Sequence, residues 1–245
     1  MAASKSIRSI VLTGAGSGIG LACLTILLSQ EANAHVVAVD VNGVRLVPLK
    51  EQYPDRLEVI IADIAQRSTS EKAVEKAVSS LGRLDALLLN AGVVEPVGPV
   101  ATAKVDEWKR LFDVNFFSMI HTVQVALPHL RKHCGMWKYC CDLFWGLASK
   151  RAVNALVAGL AMEEPEVACL SVTPGIAESG LQKQMREELK DKLRPDMHKM
   201  LSGLHARGEL LKPEQPGSTL ARLAVQGVPK EISGQMLPWN DDRIV

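Results

Sequence analysis

The chain has 245 residues and a mass of 26.6 kDa, which is long enough to bury the core of one large α/β domain. Apolar residues make up 47% and charged residues 22%, and this composition excludes disordered and collagen-like chains. Lysine plus arginine total 28 and aspartate plus glutamate total 27, so the net charge is only +1. The chain therefore lacks the long-range positive field that attracts nucleic acid or an anionic membrane.

Two further features of the sequence indicate its compartment. No apolar run is as long as a membrane-spanning helix, and the short polar N-terminus, Met1 to Ser9, does not resemble a signal peptide. Five cysteines are too few for a disulfide framework, and their odd number is typical of free thiols in a reducing compartment. We therefore expect a cytoplasmic protein with no membrane and no nucleic-acid partner.

Short β-branched runs alternate along the chain with longer segments of helical periodicity. In chain order, the strands are predicted at Ile7–Leu12, His35–Val39, Leu57–Ile61, Leu84–Leu89, Val167–Val172 and Gly234–Leu237. The helices are predicted at Leu21–Ser29, Asn42–Gln52, Ser68–Leu81, Asp106–Leu130, Ala148–Met162, Glu178–Leu211 and Pro213–Val225. Pro48 is expected to disrupt part of the second helix.

The predicted strands are almost continuously apolar, which is typical of a parallel sheet covered by helices on both faces. Strands that alternate with helices imply βαβ units, and right-handed crossovers then produce a doubly wound sheet. The predicted fold class is thus α/β, a Rossmann-type doubly wound parallel sheet of six to seven strands with helices on both faces. No linker, repeat or charge block divides the chain, so residues 1–245 are predicted to form a single domain.

A glycine-rich turn, Thr13-Gly14-Ala15-Gly16-Ser17-Gly18-Ile19-Gly20, lies between the first predicted strand and the first predicted helix. Glycine permits positive φ in such a turn and lets a pyrophosphate approach the backbone without meeting a Cβ atom. The helix that follows offers free N–H groups and the positive end of its dipole to the phosphates. A tight structural turn is the alternative, but the position between a buried strand and a helix favours a dinucleotide site.

Two aspartates end the next two predicted strands. Asp40 lies twenty residues after Gly20, where a carboxylate accepts hydrogen bonds from an adenosine ribose and repels a 2′-phosphate, so it favours NAD over NADP. Asp63 could face the adenine in a similar way. Each aspartate also has a structural alternative, Asp40 as a turn or N-cap residue and Asp63 as a helix cap.

In their order along the chain, these motifs resemble those of the short-chain dehydrogenase/reductase family. The spacing Thr13-Gly14-xxx-Gly18-x-Gly20 is similar to that family's form of the turn, and Asn90-Ala91-Gly92 follows the fourth predicted strand as the family's Asn-Ala-Gly motif does. The resemblance extends over almost the whole chain. Within the family, Val93-Val94-Glu95-Pro96-Val97, Pro174-Gly175-Ile176 and Ser233-Gly234-Gln235 resemble the fungal benzil reductase and sepiapterin-reductase-like branch.

The resemblance implies a nicotinamide cofactor, NAD or NADP, and a set of site residues. Lys150 and Asn115 are implied to be catalytic: Lys150 also binds the nicotinamide ribose, and Asn115 holds a water in the proton relay. Cofactor binding is expected at Thr13, Gly14, Ser17, Gly18, Ile19, Gly20, Asp40, Asp63, Ile64, Asn90, Ala91, Gly92, Lys150, Pro174, Gly175, Ile176 and Ser179. Asn90 and Asn115 have structural alternatives, as a tie between two strands and as a buried amide with a polar partner.

Two catalytic residues that the resemblance implies are absent from the sequence. Four residues before Lys150, where the family has an acid–base tyrosine on the same helix face, stands Gly146. No serine or threonine lies between Leu130 and Ala148. The interval from Asn115 to Lys150 is also roughly ten residues shorter than the family's, beyond ordinary boundary uncertainty.

Several interpretations of the segment between Leu130 and Lys150 stay open. An error of reading frame or splicing in the gene model, a lesion in a decaying gene, or a domain that lacks its central strand and folds poorly would each account for it. Lys138 and Asp142 would place charges in a strand buried on both faces. Tyr139 could replace the missing tyrosine, but helix geometry does not bring it near Lys150. No metal is predicted, because common zinc spacings are not matched by His129, His133, Cys134, Cys140 and Cys141.

The function implied by the resemblance is that of an NAD(P)-dependent carbonyl reductase or alcohol dehydrogenase with a small carbonyl or alcohol substrate. The helical segment Gly180 to Leu211 is expected to form a lid, whose methionines either face a lipophilic substrate or belong to the core. A homodimer or homotetramer is expected through the helix at 106–130 and the helix at Lys150. The alternative is a catalytically impaired dinucleotide-binding protein or a defective gene model, because loss of a positioned acid–base group typically costs about 10²–10⁴-fold in rate.

Overall fold

A computed structural model describes residues 7–29, 32–133, 136–140 and 147–245, without the side chains of residues 133, 136–140 and 147. In this part of the chain seven strands form one sheet in the order β3-β2-β1-β4-β5-β6-β7, and each strand is parallel to its neighbours. The predicted α/β class with a doubly wound parallel sheet is thereby confirmed. The strands are β1 (Arg8–Thr13), β2 (Ala34–Asp40), β3 (Leu57–Ile61), β4 (Ala86–Leu89), β5 (Met136–Cys140), β6 (Ala168–Thr173) and β7 (Met236–Pro238).

Nine α-helices lie between and after the strands in the described residues. They are α1 (Gly18–Leu27), α2 (Leu46–Gln52), α3 (Arg67–Leu81), α4 (Val105–Phe112), α5 (Ser118–Leu130), α6 (Leu147–Glu163), α7 (Gly180–Glu187), α8 (Pro195–Ala206) and α9 (Glu214–Gln226). A π-helical segment, Asp113–Phe117, joins α4 to α5, so the long helix predicted at 106–130 is continuous. Among the described helices, none has the length and apolar composition that crossing a bilayer would require.

Both faces of the sheet are covered, because successive side chains of each strand point to opposite faces. In β1, Ile10 and Leu12 are fully buried in a core shared with α1 and α9. Val11, between them, is fully buried in a second core shared with α3, α5 and α6. The uninterrupted apolar strands of the sequence follow from this two-sided burial.

The helix predicted at Asn42–Gln52 begins later, at Leu46. The Asn42 N–H donates to Asp40 Oδ1 at 2.9 Å, and the Val44 N–H donates to Asn42 Oδ1 at 3.0 Å. Such local bonds compete with helix formation and hold the backbone in a turn. The expectation that Pro48 disrupts the helix is wrong, because it is the third residue of α2, where a backbone N–H has no intrahelical acceptor.

The prediction of one continuous helix at Glu178–Leu211 is wrong as well, because the segment forms the two helices α7 and α8. Pro195 is the first residue of α8, a position where its fixed φ suits a helix start and its missing N–H costs nothing. Met185 and Met197 are buried in an apolar cluster that includes Val94 and Val97 from the loop after β4. The core interpretation of these two methionines is therefore confirmed, while Met200 is 39% exposed.

The central strand expected before Lys150 is present. Met136–Cys140 form β5 between β4 and β6, with Lys138 in register with Leu88 on one side and Leu170 on the other. The interpretation in which the domain lacks this strand is therefore wrong. Gly146, Cys134, Cys141 and Asp142 lie outside the described residues, as do the side chains of Lys138, Tyr139 and Cys140.

Candidate active site

A cavity of about 310 Å³ opens where β1, β2 and β4 end. The chain runs from β1 to β2 on one side and reaches β4 on the other, so the strand order reverses here. In open α/β sheets, ligands bind in the crevice at such a reversal. The predicted site residues that line it are Gly14, Ser17, Gly18, Ile19, Asp40, Asp63, Ile64, Asn90, Ala91, Gly92, Lys150 and Ser179.

The glycine-rich turn forms the floor of this cavity between β1 and α1. Gly14 and Gly18 have φ angles of +66° and +50°, which side-chain-bearing residues rarely adopt. A Cβ atom on Gly14 would lie 2.8 Å from the Ala91 Cα atom, so only glycine fits this close backbone approach. Ser17 precedes α1 without a side-chain capping bond, which leaves the first N–H groups of the helix available to an anion. These features fit the diphosphate of a dinucleotide.

A network of hydrogen bonds ties the turn to the segment after β4. The Asn90 side chain donates through Nδ2 to the Gly14 carbonyl oxygen at 2.9 Å. Thr13 Oγ1 accepts the backbone N–H groups of Asn90 and Ala91 at 3.1 and 3.2 Å. The structural interpretation of Asn90 is thus confirmed, and the residue also lines the cavity. Thr13 and Gly20 are not among the cavity residues but shape the turn from behind.

Asp40 lies at the end of β2 with its carboxylate at the cavity. Its Oδ2 atom accepts the Gly16 N–H at 2.8 Å, and its Oδ1 atom accepts the Asn42 N–H at 2.9 Å. The turn interpretation of Asp40 is therefore confirmed, and it is compatible with ligand binding because each carboxylate oxygen has a second lone pair. The two bonds fix the orientation of the negative charge.

Asp63 follows β3, and its side chain has two partners. Its Oδ1 atom accepts the Ala65 N–H at 2.9 Å in the turn before α3, while Oδ2 accepts a bond from Arg110 Nη2 at 2.7 Å. The carboxylate thus closes the turn before α3 but does not cap that helix, whose N-cap residue is Gln66, so the capping alternative is wrong. Arg110 comes from α4 and also lines the cavity.

Asn115 and Lys150 approach each other beside Gly92. Asn115 is fully buried in the π-helical segment: its Oδ1 atom accepts the Val93 N–H at 2.8 Å, and its Nδ2 atom donates to the Val93 carbonyl oxygen at 2.9 Å. Its Nδ2 atom also lies 3.3 Å from Ser149 Oγ. A Cβ atom on Gly92 would be 3.4 Å from Asn115 Oδ1 and 3.5 Å from Lys150 Nζ. The structural interpretation of Asn115 is confirmed, and its relay water stays a prediction.

The residues predicted after β6 divide into two groups. Ser179 lines the cavity, and its hydroxyl oxygen caps α7 by accepting the Gln182 N–H at 3.2 Å. Pro174, Gly175 and Ile176 are not among the cavity residues; the Ile176 carbonyl oxygen accepts the Leu211 N–H at 2.9 Å, which ties the segment after α8 to the segment after β6. Cofactor contacts by these three residues stay a prediction.

Eight further residues that line the cavity were not predicted as site residues: Val39, Val41, Ala62, Val93, Val94, Arg110, Val114 and Leu181. Val93 and Val94 directly follow Asn90-Ala91-Gly92, and that adjacency could have indicated them. Arg110 on α4 and Leu181 on α7 carry no local motif, so only the fold brings them to the cavity. Among the described residues, none that lines the cavity is a tyrosine, and Gly146 lies outside the described part of the chain.

Comparisons with known proteins agree with this geometry. The family model described as short chain dehydrogenase matches residues 8–136. An uncharacterized oxidoreductase of Saccharomyces cerevisiae is 36% identical over 244 residues, which cover 96% of each chain. Its crystal structure superposes with a TM-score of 0.93 at 35% identity, covering 97% of this chain and 98% of the other.

Two other proteins extend the comparison to named activities. The benzil reductase ((S)-benzoin forming) of Saccharomyces cerevisiae is 31% identical over 263 residues, which cover 97% of each chain. A 3-ketoacyl-(acyl-carrier-protein) reductase from Brucella melitensis, complexed with NADH, superposes with a TM-score of 0.80 at 22% identity over 99% of this chain and 100% of that one. At that identity, the second similarity indicates the fold alone.

Proposed function

The chain belongs to the fungal branch of the short-chain dehydrogenase/reductase family of oxidoreductases, and from that premise we propose that it transfers a hydride between NAD and a small carbonyl or alcohol. In the direction of reduction, NADH would give a hydride to the carbonyl carbon and become NAD, and a proton that comes ultimately from the solvent would go to the carbonyl oxygen. One observation carries the proposal: the glycine-rich turn, the Asp40 carboxylate and Lys150 all line a single cavity. The bound cofactor would supply the hydride. The protein would bind and orient the cofactor and the substrate and would exclude bulk water from the site.

We propose that NAD is preferred over NADP because of Asp40. Backbone N–H groups of Gly16 and Asn42 hold its carboxylate at the cavity, where it can accept the ribose hydroxyls. A 2′-phosphate would meet this fixed negative charge. Within the described lining of the cavity, the cations are Arg110 and Lys150, and Arg110 is paired with Asp63. Val41, next to Asp40, adds no positive charge.

Lys150 and Asn115 are the chain's proposed catalytic residues. The Lys150 ammonium would hold the ribose next to the nicotinamide and favour negative charge on the substrate oxygen during reduction. Asn115 would fix the backbone of Val93 at the cavity wall through its two hydrogen bonds. The acid–base tyrosine that the resemblance implies has no counterpart at Gly146, so measuring turnover, and not only binding, is essential.

We propose an apolar ketone or diketone as the substrate class. Val93, Val94 and Leu181 give one wall of the cavity an apolar lining. The similar yeast enzyme is named for benzil and for (S)-benzoin as its product, so benzil is the natural first substrate to test. The apolar wall would bind such a ligand by the removal of nonpolar surface from water.

The direct test measures the decrease of NADH and NADPH absorbance with benzil as the carbonyl substrate. The proposal predicts turnover with NADH, a weaker response with NADPH, and a shift toward NADPH in Asp40→Ala. Glu51→Ala, which removes an exposed carboxylate from α2 outside the cavity, is the control and should leave the preference unchanged. Tight NADH binding without turnover of any ketone or diketone would contradict the proposal. An unchanged preference in Asp40→Ala would refute the argument for NAD.

We also propose that the protein acts in the cytoplasm as a homodimer or homotetramer. The association surface would include the continuous helix from α4 to α5 and the outer side of α6. Light scattering of the purified protein tests the state of assembly, and a monomer at micromolar concentration would contradict it.

A further inference from the structure

Arg110 connects α4 to the turn after β3, two parts of the fold that are far apart in sequence. It lies on α4 and lines the cavity, and its Nη2 atom donates to Asp63 Oδ2 at 2.7 Å. About half of the Arg110 side chain and a third of the Asp63 side chain remain exposed to solvent. The pair therefore sits at the rim of the cavity, and not in the core.

The main chain at Asp63 is held as firmly as its carboxylate. Its carbonyl oxygen accepts the Thr69 hydroxyl at 2.8 Å and the Gln66 N–H at 3.1 Å, while Oδ1 accepts the Ala65 N–H. All of these partners belong to the turn before α3 or to α3 itself. Among the described residues, Arg110 is thus a partner of Asp63 from another part of the fold, and it restrains the remaining carboxylate oxygen.

The adenosine end of the proposed cofactor site carries two carboxylates, Asp40 and Asp63, at the ends of adjacent strands. A dinucleotide brings a negatively charged diphosphate into the same cavity. Two uncompensated carboxylates would oppose the binding of such an anion. Arg110 places a permanent positive charge beside one of them.

We propose that Arg110 is a positioning residue for the adenosine half of the cofactor. It acts through Asp63: the ion pair orients the carboxylate toward the cavity and cancels its charge, so that Asp63 can accept a hydrogen bond from the ligand without repelling it. This inference rests on the proposed function. The half-exposed position of the pair limits the expected effect on NADH affinity to about 2–5-fold.

Binding of NADH, followed by its fluorescence, tests the inference without relying on catalysis. Arg110→Met should raise the dissociation constant for NADH about 2–5-fold, while Arg110→Lys should restore part of the affinity. The matched control is Lys109→Met, on the same helix, whose ammonium pairs with the exposed Asp106 and does not line the cavity. An Arg110→Met variant that binds NADH as tightly as Lys109→Met would overturn the inference.

A double-mutant cycle tests whether Arg110 acts through Asp63. We expect Asp63→Asn with Arg110→Met to bind NADH no more weakly than Asp63→Asn alone, because removing the carboxylate charge removes the need for its counterion. Losses that multiply in the double variant would overturn the inference, since Arg110 would then act on the ligand independently.

Two ligand fragments separate local positioning from a general loss of structure. Arg110→Met should weaken the binding of ADP-ribose by the same factor as NADH and leave that of nicotinamide mononucleotide unchanged. An equal loss for both fragments would overturn the inference. With a carbonyl substrate, the KM for NADH should rise while kcat at saturating NADH stays constant. Failure of the wild-type chain to bind NADH would instead overturn the proposed function itself, so the two failures are distinguishable.

Discussion

Replacing Gly20 by alanine should disrupt the glycine-rich turn more than the small size of the alanine side chain suggests. Gly20 is the third residue of α1, and a Cβ atom there would lie 2.0 Å from the Gly14 carbonyl oxygen and 2.5 Å from Asn90 Nδ2. These are the two atoms that join in the Asn90–Gly14 hydrogen bond at 2.9 Å. Because one of them is backbone, the clash cannot be relieved by rotating a side chain. The turn must move away from α1, and the bond must lengthen or break.

The expected loss is about 2–4 kcal/mol of unfolding free energy, from about 1–3 kcal/mol of overpacking and about 0.5–1.5 kcal/mol for the hydrogen bond. For a chain of this length, that corresponds to a decrease of about 5–15 °C in the melting temperature. Differential scanning calorimetry measures it. The control is Gly180→Ala, in the first turn of α7, where an added Cβ meets no heavy atom within 4 Å. If Gly20→Ala melts within about 2 °C of Gly180→Ala, the steric reasoning is refuted.

Three further substitutions test other contacts. Thr13→Val should cost about 1–3 kcal/mol in urea unfolding, because the Ala91 N–H loses its acceptor while the Asn90 N–H retains the Leu88 carbonyl oxygen, and retention of wild-type stability would contradict this. Asn115→Leu should cost a similar amount and speed hydrogen exchange at the Val93 amide, whereas Ser118→Ala on the adjoining helix, the control, should cost less than about 1 kcal/mol. Burial lowers the pKa of His35 below its ordinary value of 6.5, so the unfolded chain binds a proton that the folded chain excludes. The free energy of unfolding should therefore keep this contribution above pH 6.5 and decrease as the pH falls below that value. The His35→Leu variant should lose this part of the pH dependence. Equal changes in the urea-unfolding free energy between pH 7.5 and 5.5 for the wild type and His35→Leu would contradict the prediction.

The regular elements of the fold could be predicted largely from local pattern. Strand β2 lies within one residue of its predicted bounds at each end, because two-sided burial requires the continuous apolar run Val36–Val39. The errors occur where polar side chains or proline change the backbone. The side chains of Asp40 and Asn42 accept nearby backbone N–H groups, so α2 begins later than predicted. Pro195 begins a second helix in a segment whose periodicity predicted a single continuous helix.

The candidate site could be predicted where it is built from strand ends and the turns after them. Gly14, Asp40 and Asn90 belong to that class, since the carboxyl ends of parallel strands meet at one edge of the sheet. Arg110 and Leu181 could not be predicted as site residues, because the sequences of the helices that carry them contain no motif that indicates the cavity. Their position depends on how those helices pack.

By itself, the sequence determined the fold class, the glycine-rich turn and the acidic residues after β2 and β3, because these depend on short-range spacing and backbone geometry. Only the tertiary structure decided which side chains share the cavity. It showed that Asp63 is paired with Arg110 and that Met185 belongs to a buried apolar cluster with Val94 and Val97. It also placed a strand at Met136–Cys140, where local composition argued against one. The physical reason is that burial and ion pairing arise from contacts between segments distant in sequence, which no local pattern contains.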